Sequence, residues 1–189
     1  MMRIIAGHFK GRRLYVPAGA RIRPTSERVR AAVFNFLQHR VDWHKVRVLD
    51  LFAGTGSLGL EALSRGARWA TFVEKHPLAL GFIRTTLASW GISDRAELVR
   101  APVERYLERV REAFEVIFVD PPYGYPAYEE LLRRIRDSAA YGPQTWLVLE
   151  HGRGISWEGH PDWVDTRRYG RTVVSYFHPE PPASWEAGP

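Results

Sequence analysis

The sequence contains no cysteine. That excludes disulfides, thiolate metal sites and any mechanism needing a cysteine nucleophile, carbon-5 RNA methylation among them. Lysine is scarce: of 27 basic residues only Lys10, Lys45 and Lys75 are Lys, and the rest are Arg. Long apolar runs are missing too. Stretches such as Val116–Val119 are short, whereas a membrane-crossing helix needs about 20 residues, so no membrane partner is expected. The segment Met1–Gly7 lacks the apolar stretch of a signal peptide, and the expected location is cytoplasmic. The histidines are scattered without His-Glu-x-x-His spacing, so no metal site is expected.

What is present fits one folded domain of 189 residues, with 45% hydrophobic and 25% charged residues; a disordered chain would be poorer in apolar residues. The net charge of +6 is unevenly distributed. Residues 1–40 carry nine Arg or Lys against one acid, Glu27, while residues 41–189 carry 18 against 20. Arg presents a planar fork suited to phosphate, so this asymmetry points to a polyanion, with nucleic acid first among candidates. A merely solubilising Arg-rich surface explains the composition equally well.

No internal repeat or long linker is visible. Residues Arg3–Val16 read as a β-hairpin turning at Lys10-Gly11, and Pro17–Thr25 as loop. Ser26 suits the N-cap of a helix to Gln38, with Val29, Val33, Phe34 and Leu37 on its buried face. Strands and helices then alternate. Strands are expected at Arg47–Phe52, Trp69–Glu74, Ala96–Arg100, Val116–Asp120 and Thr145–His151. The helices between them are expected at Ser57–Arg65, Pro77–Trp90, Pro102–Ala113 and Tyr128–Ala139. Trp163–Tyr169 and Thr172–His178 read as an antiparallel pair around Gly170-Arg171. The expected fold is therefore α/β and Rossmann-like, with a mostly parallel seven-stranded sheet, a C-terminal antiparallel hairpin and a small N-terminal hairpin. The expected division is a basic extension at 1–25, a main domain at 26–178 and a mobile tail at 179–189.

Ligands in such sheets bind beyond the carboxyl ends of the strands. After the first main strand, Gly54, Gly56 and Gly59 fit G-x-G-x-x-G, and Glu74 ends the next strand twenty residues on. Glycine permits a sharp turn and close backbone approach, and the carboxylate can accept both ribose hydroxyls. A nicotinamide dinucleotide and another adenosine cofactor fit equally, and a tight turn with no ligand is the lesser alternative. Asp50 separates the two cofactors. Its charge would repel a pyrophosphate but suits the ammonium of S-adenosylmethionine. The loop resembles motif I of the class I S-adenosylmethionine-dependent methyltransferases.

After the fourth main strand comes Asp120-Pro121-Pro122-Tyr123. An exocyclic amine is a weak nucleophile because its lone pair is delocalised into the ring. Hydrogen bonds from the amine to fixed acceptors favour the attacking shape. Asp120 and the Pro121 carbonyl can supply them, Pro121 and Pro122 stiffen the backbone, and Tyr123 offers a face for an extruded base. A strand-ending turn with an aromatic plug is the plain alternative. The tetrapeptide resembles motif IV of the amino-methyltransferases. No separate strong base is required, since Asp120 or water can take the proton from the methylated amine.

With Arg3–Gly7, Lys10–Leu14, Arg23–Arg30, Asp50–Ala67 and Asp120–Tyr123, the chain resembles the RsmD family of 16S rRNA guanine-N2 methyltransferases from about Arg3 to His178. The resemblance implies methylation of one guanine in the head of the small ribosomal subunit, near the P site, with assembled or nearly assembled subunits as the better substrate. It implies S-adenosylmethionine held by Asp50, Phe52, Ala53, Gly54, Thr55, Gly56, Glu74 and Lys75. Asp120, Pro121, Pro122 and Tyr123 would hold the guanine amine, and Arg12, Arg13, Arg21, Arg23, Thr25 and Arg28 the RNA, with Arg23 and Thr25 alternatively folding over the cofactor. Many relatives of this fold carry Asp or Asn after the third strand. Here Val99–Val103 has neither, so adenine would meet backbone around Ala101, Pro102 and Val103. A monomer is expected. The rival readings are an amino-methyltransferase acting on adenine or glutamine, a dinucleotide-dependent oxidoreductase, and a non-catalytic RNA-binding module.

Overall fold

A computed structural model describes residues 2–14, 26–122 and 124–180. Two short strands, β1 (Met2–Arg3) and β2 (Arg13–Leu14), pair antiparallel ahead of helix α1 (Glu27–Leu37). The main sheet and its helices follow as β3 (Arg47–Leu51), α2 (Ser57–Ser64), β4 (Trp69–Glu74), α3 (Pro77–Trp90), β5 (Ala96–Arg100) and α4 (Val103–Leu107). Then come β6 (Phe114–Val119), α5 (Tyr128–Asp137), β7 (Tyr141–His151), β8 (Trp163–Tyr169) and β9 (Thr172–Phe177). The seven main strands lie in the order β5-β4-β3-β6-β7-β9-β8, and β9 alone runs antiparallel to its two neighbours.

The chain reverses direction across the sheet between β3 and β6, the place where open α/β sheets bind ligands. The central strands β3, β4 and β6 are mostly apolar and, apart from Arg47, Trp69 and Glu115, buried, as a parallel sheet covered on both faces requires. One apolar cluster joins them to α1, α2 and α3, and a second joins them to α4 and α5.

Several boundaries differ from the sequence reading. β3 stops at Leu51 because Phe52 adopts φ +59°, which no strand accommodates. α4 is a single turn and a half, ending at Leu107 instead of Ala113. Its continuation carries Glu108, Arg109 and Arg111 on exposed positions, so little apolar face remains to hold a helix down. β6 starts at Phe114 and ends at Val119, α5 ends at Asp137, and β7 begins at Tyr141 instead of Thr145. Residues Ser93–Arg95 form a short 3₁₀ turn that the sequence did not suggest.

The N-terminal hairpin is also shorter than Arg3–Val16. Its connection is opened by Gly7 and Gly11, both in the left-handed region. Met2, Ile4, Phe9 and Leu14 are buried in the same cluster as α1 and α2. Residues 4–9 are fastened to α2: Glu61 accepts from Ile5 N (2.8 Å) and Ala6 N (3.0 Å), and the Ser64 carbonyl accepts from His8 N (2.7 Å). Gly7 lies so close that a Cβ there would stand 1.9 Å from the Ser64 carbonyl oxygen. Of the expected tail, only Pro179 and Glu180 are among the described residues.

Candidate active site

The cofactor loop is a tight turn between β3 and α2. Gly56 N donates to the Ala53 carbonyl (2.6 Å), while Gly54 (φ +53°) and Gly56 (φ +72°) take left-handed backbone. Phe52 does so without being glycine, a strain that concentrates at functional sites. Gly59 has a different reason to be glycine. A Cβ there would stand 2.3 Å from the Phe72 ring, so it lets α2 close onto β4 and does not face a ligand.

Two carboxylates hold this turn. Glu74 bridges it to β4: Oε2 accepts from Gly54 N (3.0 Å) and Oε1 from His76 N (2.9 Å). Asp50 is buried inside the sheet edge, and its Oδ2 accepts from Gly59 N (2.9 Å). Asp50 thus satisfies an amide at the start of α2, whose N-cap Gly56 has no side chain to do so. Burial pushes the Asp50 carboxyl well above the usual carboxylate range; Asp120 and Glu74 push it further, and the Gly59 amide opposes them.

The sheet register explains why these groups meet. Leu51 pairs with Val73 on one side and Val119 on the other. The next positions are Phe52, Glu74 and Asp120, so the acid of β4 and the acid after β6 flank the cofactor loop. A concentration of carboxylates at a turn of backbone amides suits a ligand of net positive charge. S-adenosylmethionine, with a sulfonium, an ammonium and one carboxylate, fits this chemistry. A pyrophosphate, doubly anionic, does not.

Thr55 and Ala53 are buried within the turn, whereas Lys75 is exposed beyond Glu74. Val103 is buried and Pro102 caps α4, leaving backbone as the polar group of the Ala101–Val103 stretch.

The loop after β6 is braced from two directions. Pro121 is buried and Pro122 exposed, and the Pro122 carbonyl accepts from Tyr125 N (3.0 Å). Tyr123 lies outside the described residues. Tyr125, which the sequence reading passed over, packs edge-on to Phe52 (5.6 Å between ring centres) and to Tyr128 (5.5 Å). Its hydroxyl donates to Glu104 Oε1 (3.2 Å). Strained Phe52 therefore touches both loops, and Tyr125 ties α4 to the loop carrying Asp120.

Among the described residues, Arg12 stands away from this edge. Arg21, Arg23 and Thr25 lie outside the described residues. Arg12, Arg13 and Arg28 are exposed. The Arg12 guanidinium sits 5.0 Å from the centre of the Phe9 ring, which stacks on Trp90 at 4.5 Å. Trp90 ends α3, so Arg12 stands at the amino edge of the sheet, opposite Asp120. Among the described residues no cluster of His, Asp or Glu could hold a metal ion, and no helix is long and apolar enough to cross a membrane.

Comparison with known proteins adds to this geometry. The model of the family Conserved hypothetical protein 95 matches residues 2–178. Ribosomal RNA small subunit methyltransferase D of Haemophilus influenzae is 30% identical over 93% of this chain and 91% of its own length. The Escherichia coli K12 protein of the same name is 34% identical over 79% of this chain and 74% of its own. The solved structure of a hypothetical protein of Thermus thermophilus superposes with a TM-score of 0.81, at 32% identity, covering 94% of this chain and 99% of that one.

Proposed function

The chain belongs to the Conserved hypothetical protein 95 family, the RsmD family of S-adenosylmethionine-dependent methyltransferases, and from that premise we propose that it methylates the exocyclic N2 amine of one guanine of 16S rRNA. The observation that carries the reading is the juxtaposition of Asp120 and the cofactor loop on adjacent strands in register.

When bound, S-adenosylmethionine supplies an electrophilic methyl group on a sulfonium. The turn Asp50–Gly56 and Glu74 would hold it. The Glu74 carboxylate, fixed by two backbone amides, keeps lone pairs for ribose hydroxyls. Asp120 and the Pro121 carbonyl accept from the guanine amine. This opposes delocalisation of the nitrogen lone pair and aims it at the cofactor loop. The acceptors are rigid: Pro121 and Pro122 restrict the backbone, and Tyr125 pins the loop to Phe52 and Glu104. Preorganised acceptors need no rearrangement at the moment of reaction. Tyr123, by its place in the sequence, supplies the stacking face. Asp120 or water takes the proton from the methylated amine.

The substrate is 16S rRNA within an assembled or nearly assembled small subunit, bound by a monomer in the cytoplasm. The test supplies labelled S-adenosylmethionine with unmodified small subunits, naked 16S rRNA or duplex DNA, and identifies the modified nucleoside by mass. N2-methylguanosine from subunits is expected. N6-methyladenine would move the chain to an adenine methyltransferase. No label on any nucleic acid, with cofactor demonstrably bound, would overturn an RNA substrate.

A further inference from the structure

Among the described residues, exposed arginines of the C-terminal hairpin stand at the same sheet edge as Asp120. In β7, Leu149 pairs with Val119 of β6 and with Ser175 of β9, and His151 pairs with Val173. β9 therefore begins, and β8 ends, at the same sheet edge as Asp120. The turn between them is Gly170-Arg171, and the loop leaving β7 is Gly152–Gly154. At about 4.8 Å per strand, β9 is roughly 10 Å from β6 and β8 roughly 15 Å. That is within a nucleotide or two of a base held at Asp120.

This corner is built, not loose. Arg153 Nε and Nη2 donate to the Gly170 carbonyl (3.1 and 2.6 Å), so the β7 loop and the β8–β9 turn are one unit. A guanidinium has five N–H donors, and three of Arg153's remain. Arg168 stands in register with Val173, beside the turn. Arg153, Arg168 and Arg171 are all exposed, and none forms an ion pair among the described residues. The neighbouring arginines differ: Arg133, Arg134 and Arg136 pair with acids on and around α5, and Arg167 pairs with Asp165. Glu74 and Asp120 place carboxylates over β4 and β6, and Arg153, Arg168 and Arg171 place guanidinium groups without ion pairs among the described residues over β7, β9 and β8.

We propose that Arg153, Arg168 and Arg171 form a phosphate-contacting surface for the RNA strand that flanks the target nucleotide. It deepens the reading above, on which it rests, by placing the incoming backbone over the C-terminal hairpin. Guanidinium groups on that hairpin can meet a polyanion beside the carboxylates that face the cofactor. Contacts of this kind position a strand without reading its sequence.

The test compares wild type with Arg153→Gln/Arg168→Gln/Arg171→Gln, and with an equal-charge control, Arg68→Gln/Arg105→Gln/Arg109→Gln, whose residues are exposed and remote from this corner. Affinity for 16S rRNA is measured against salt, alongside steady-state methyl transfer. Each lost single-strand phosphate contact lowers the slope of log K against log salt by about 0.7. The triple variant should show a slope shallower by about 2 and a KM for RNA raised on the order of tenfold, with kcat and cofactor Kd unchanged. The control should behave as wild type. Equal effects in variant and control would overturn the surface. Arg171→Gln alone, which removes no hydrogen bond or ion pair among the described residues, should lower the slope by about 0.7 whether or not the triple variant is stable. An unchanged slope there also counts against the proposal. Wild-type protein that makes no N2-methylguanosine would remove the functional reading, and the surface would then be judged by the salt slope of RNA binding alone.

Discussion

Arg30 of α1 and Glu61 of α2 form an ion pair (Nε–Oε2 3.5 Å) with both side chains wholly enclosed. Glu61 also accepts from Ile5 N, Ala6 N and Arg65 Nε, and Arg30 donates to the Arg3 carbonyl. One carboxylate thus locks the N-terminal hairpin and α1 onto the helix that begins at the cofactor loop. Glu61→Ala would leave a buried guanidinium without its counter-charge and two backbone amides without their acceptor. Breaking a buried pair costs about 3–5 kcal/mol. Denaturant unfolding should show a loss of that size, and a loss under about 1 kcal/mol would mean that the pair does not organise the N-terminus.

Glu74→Ala should weaken S-adenosylmethionine binding by calorimetry, because it removes the ribose acceptor and frees Gly54 N from its anchor. Loss of a hydrogen bond to a charged group is worth about 1.5–3 kcal/mol, or roughly 10- to 150-fold in Kd. Glu74→Gln keeps an acceptor oxygen and should fall between wild type and Ala. Unchanged affinity in both would remove Glu74 from the ribose site.

His151 should make the fold acid-sensitive. Its ring is buried beside Tyr128 of α5, and burial pushes its pKa below the ordinary 6.5. Trp157 Nε1 donates to Nε2 (3.3 Å), Ser175 Oγ lies 2.8 Å from the same nitrogen, and Nδ1 lies 2.8 Å from the Gly152 carbonyl. The ring is therefore neutral, with the proton on Nδ1. The unfolded chain takes up a proton near pH 6.5 that the folded chain refuses, so stability is whole above that pH and falls as pH drops below it. Asp50, with its raised pKa, works in the opposite sense. The histidine share is read as a difference: the drop in Tm from pH 7.5 to 5.5 should be smaller in His151→Gln than in wild type. Equal drops would contradict the assignment.

Much of this was legible in the sequence. The alternation of apolar runs with helical periods located the elements from residue 47 to residue 177, because each buried strand is bounded by Gly, Pro or a cap. Asp50, Gly54, Gly56, Glu74 and Asp120 could be placed at one edge because each lies at or just beyond the carboxyl end of a predicted strand. Other features depend on register or tertiary contact. Nothing local marks Arg30 as buried among so many exposed arginines, and only the docking of residues 4–9 on α2 shows it. Gly59 looked like part of a ligand turn, and only the position of Phe72 reveals its packing role. Tyr125 and the Arg153–Gly170 brace owe their places to loops whose paths the linear pattern does not encode.

The central claim is that the amine is held for attack at the loop after β6. Asp120→Ala tests it most directly, in single-turnover methyl transfer to small ribosomal subunits beside a calorimetric titration with cofactor. The account predicts an unchanged cofactor Kd and a transfer rate lower by on the order of 100-fold. A full-rate Asp120→Ala enzyme would contradict it.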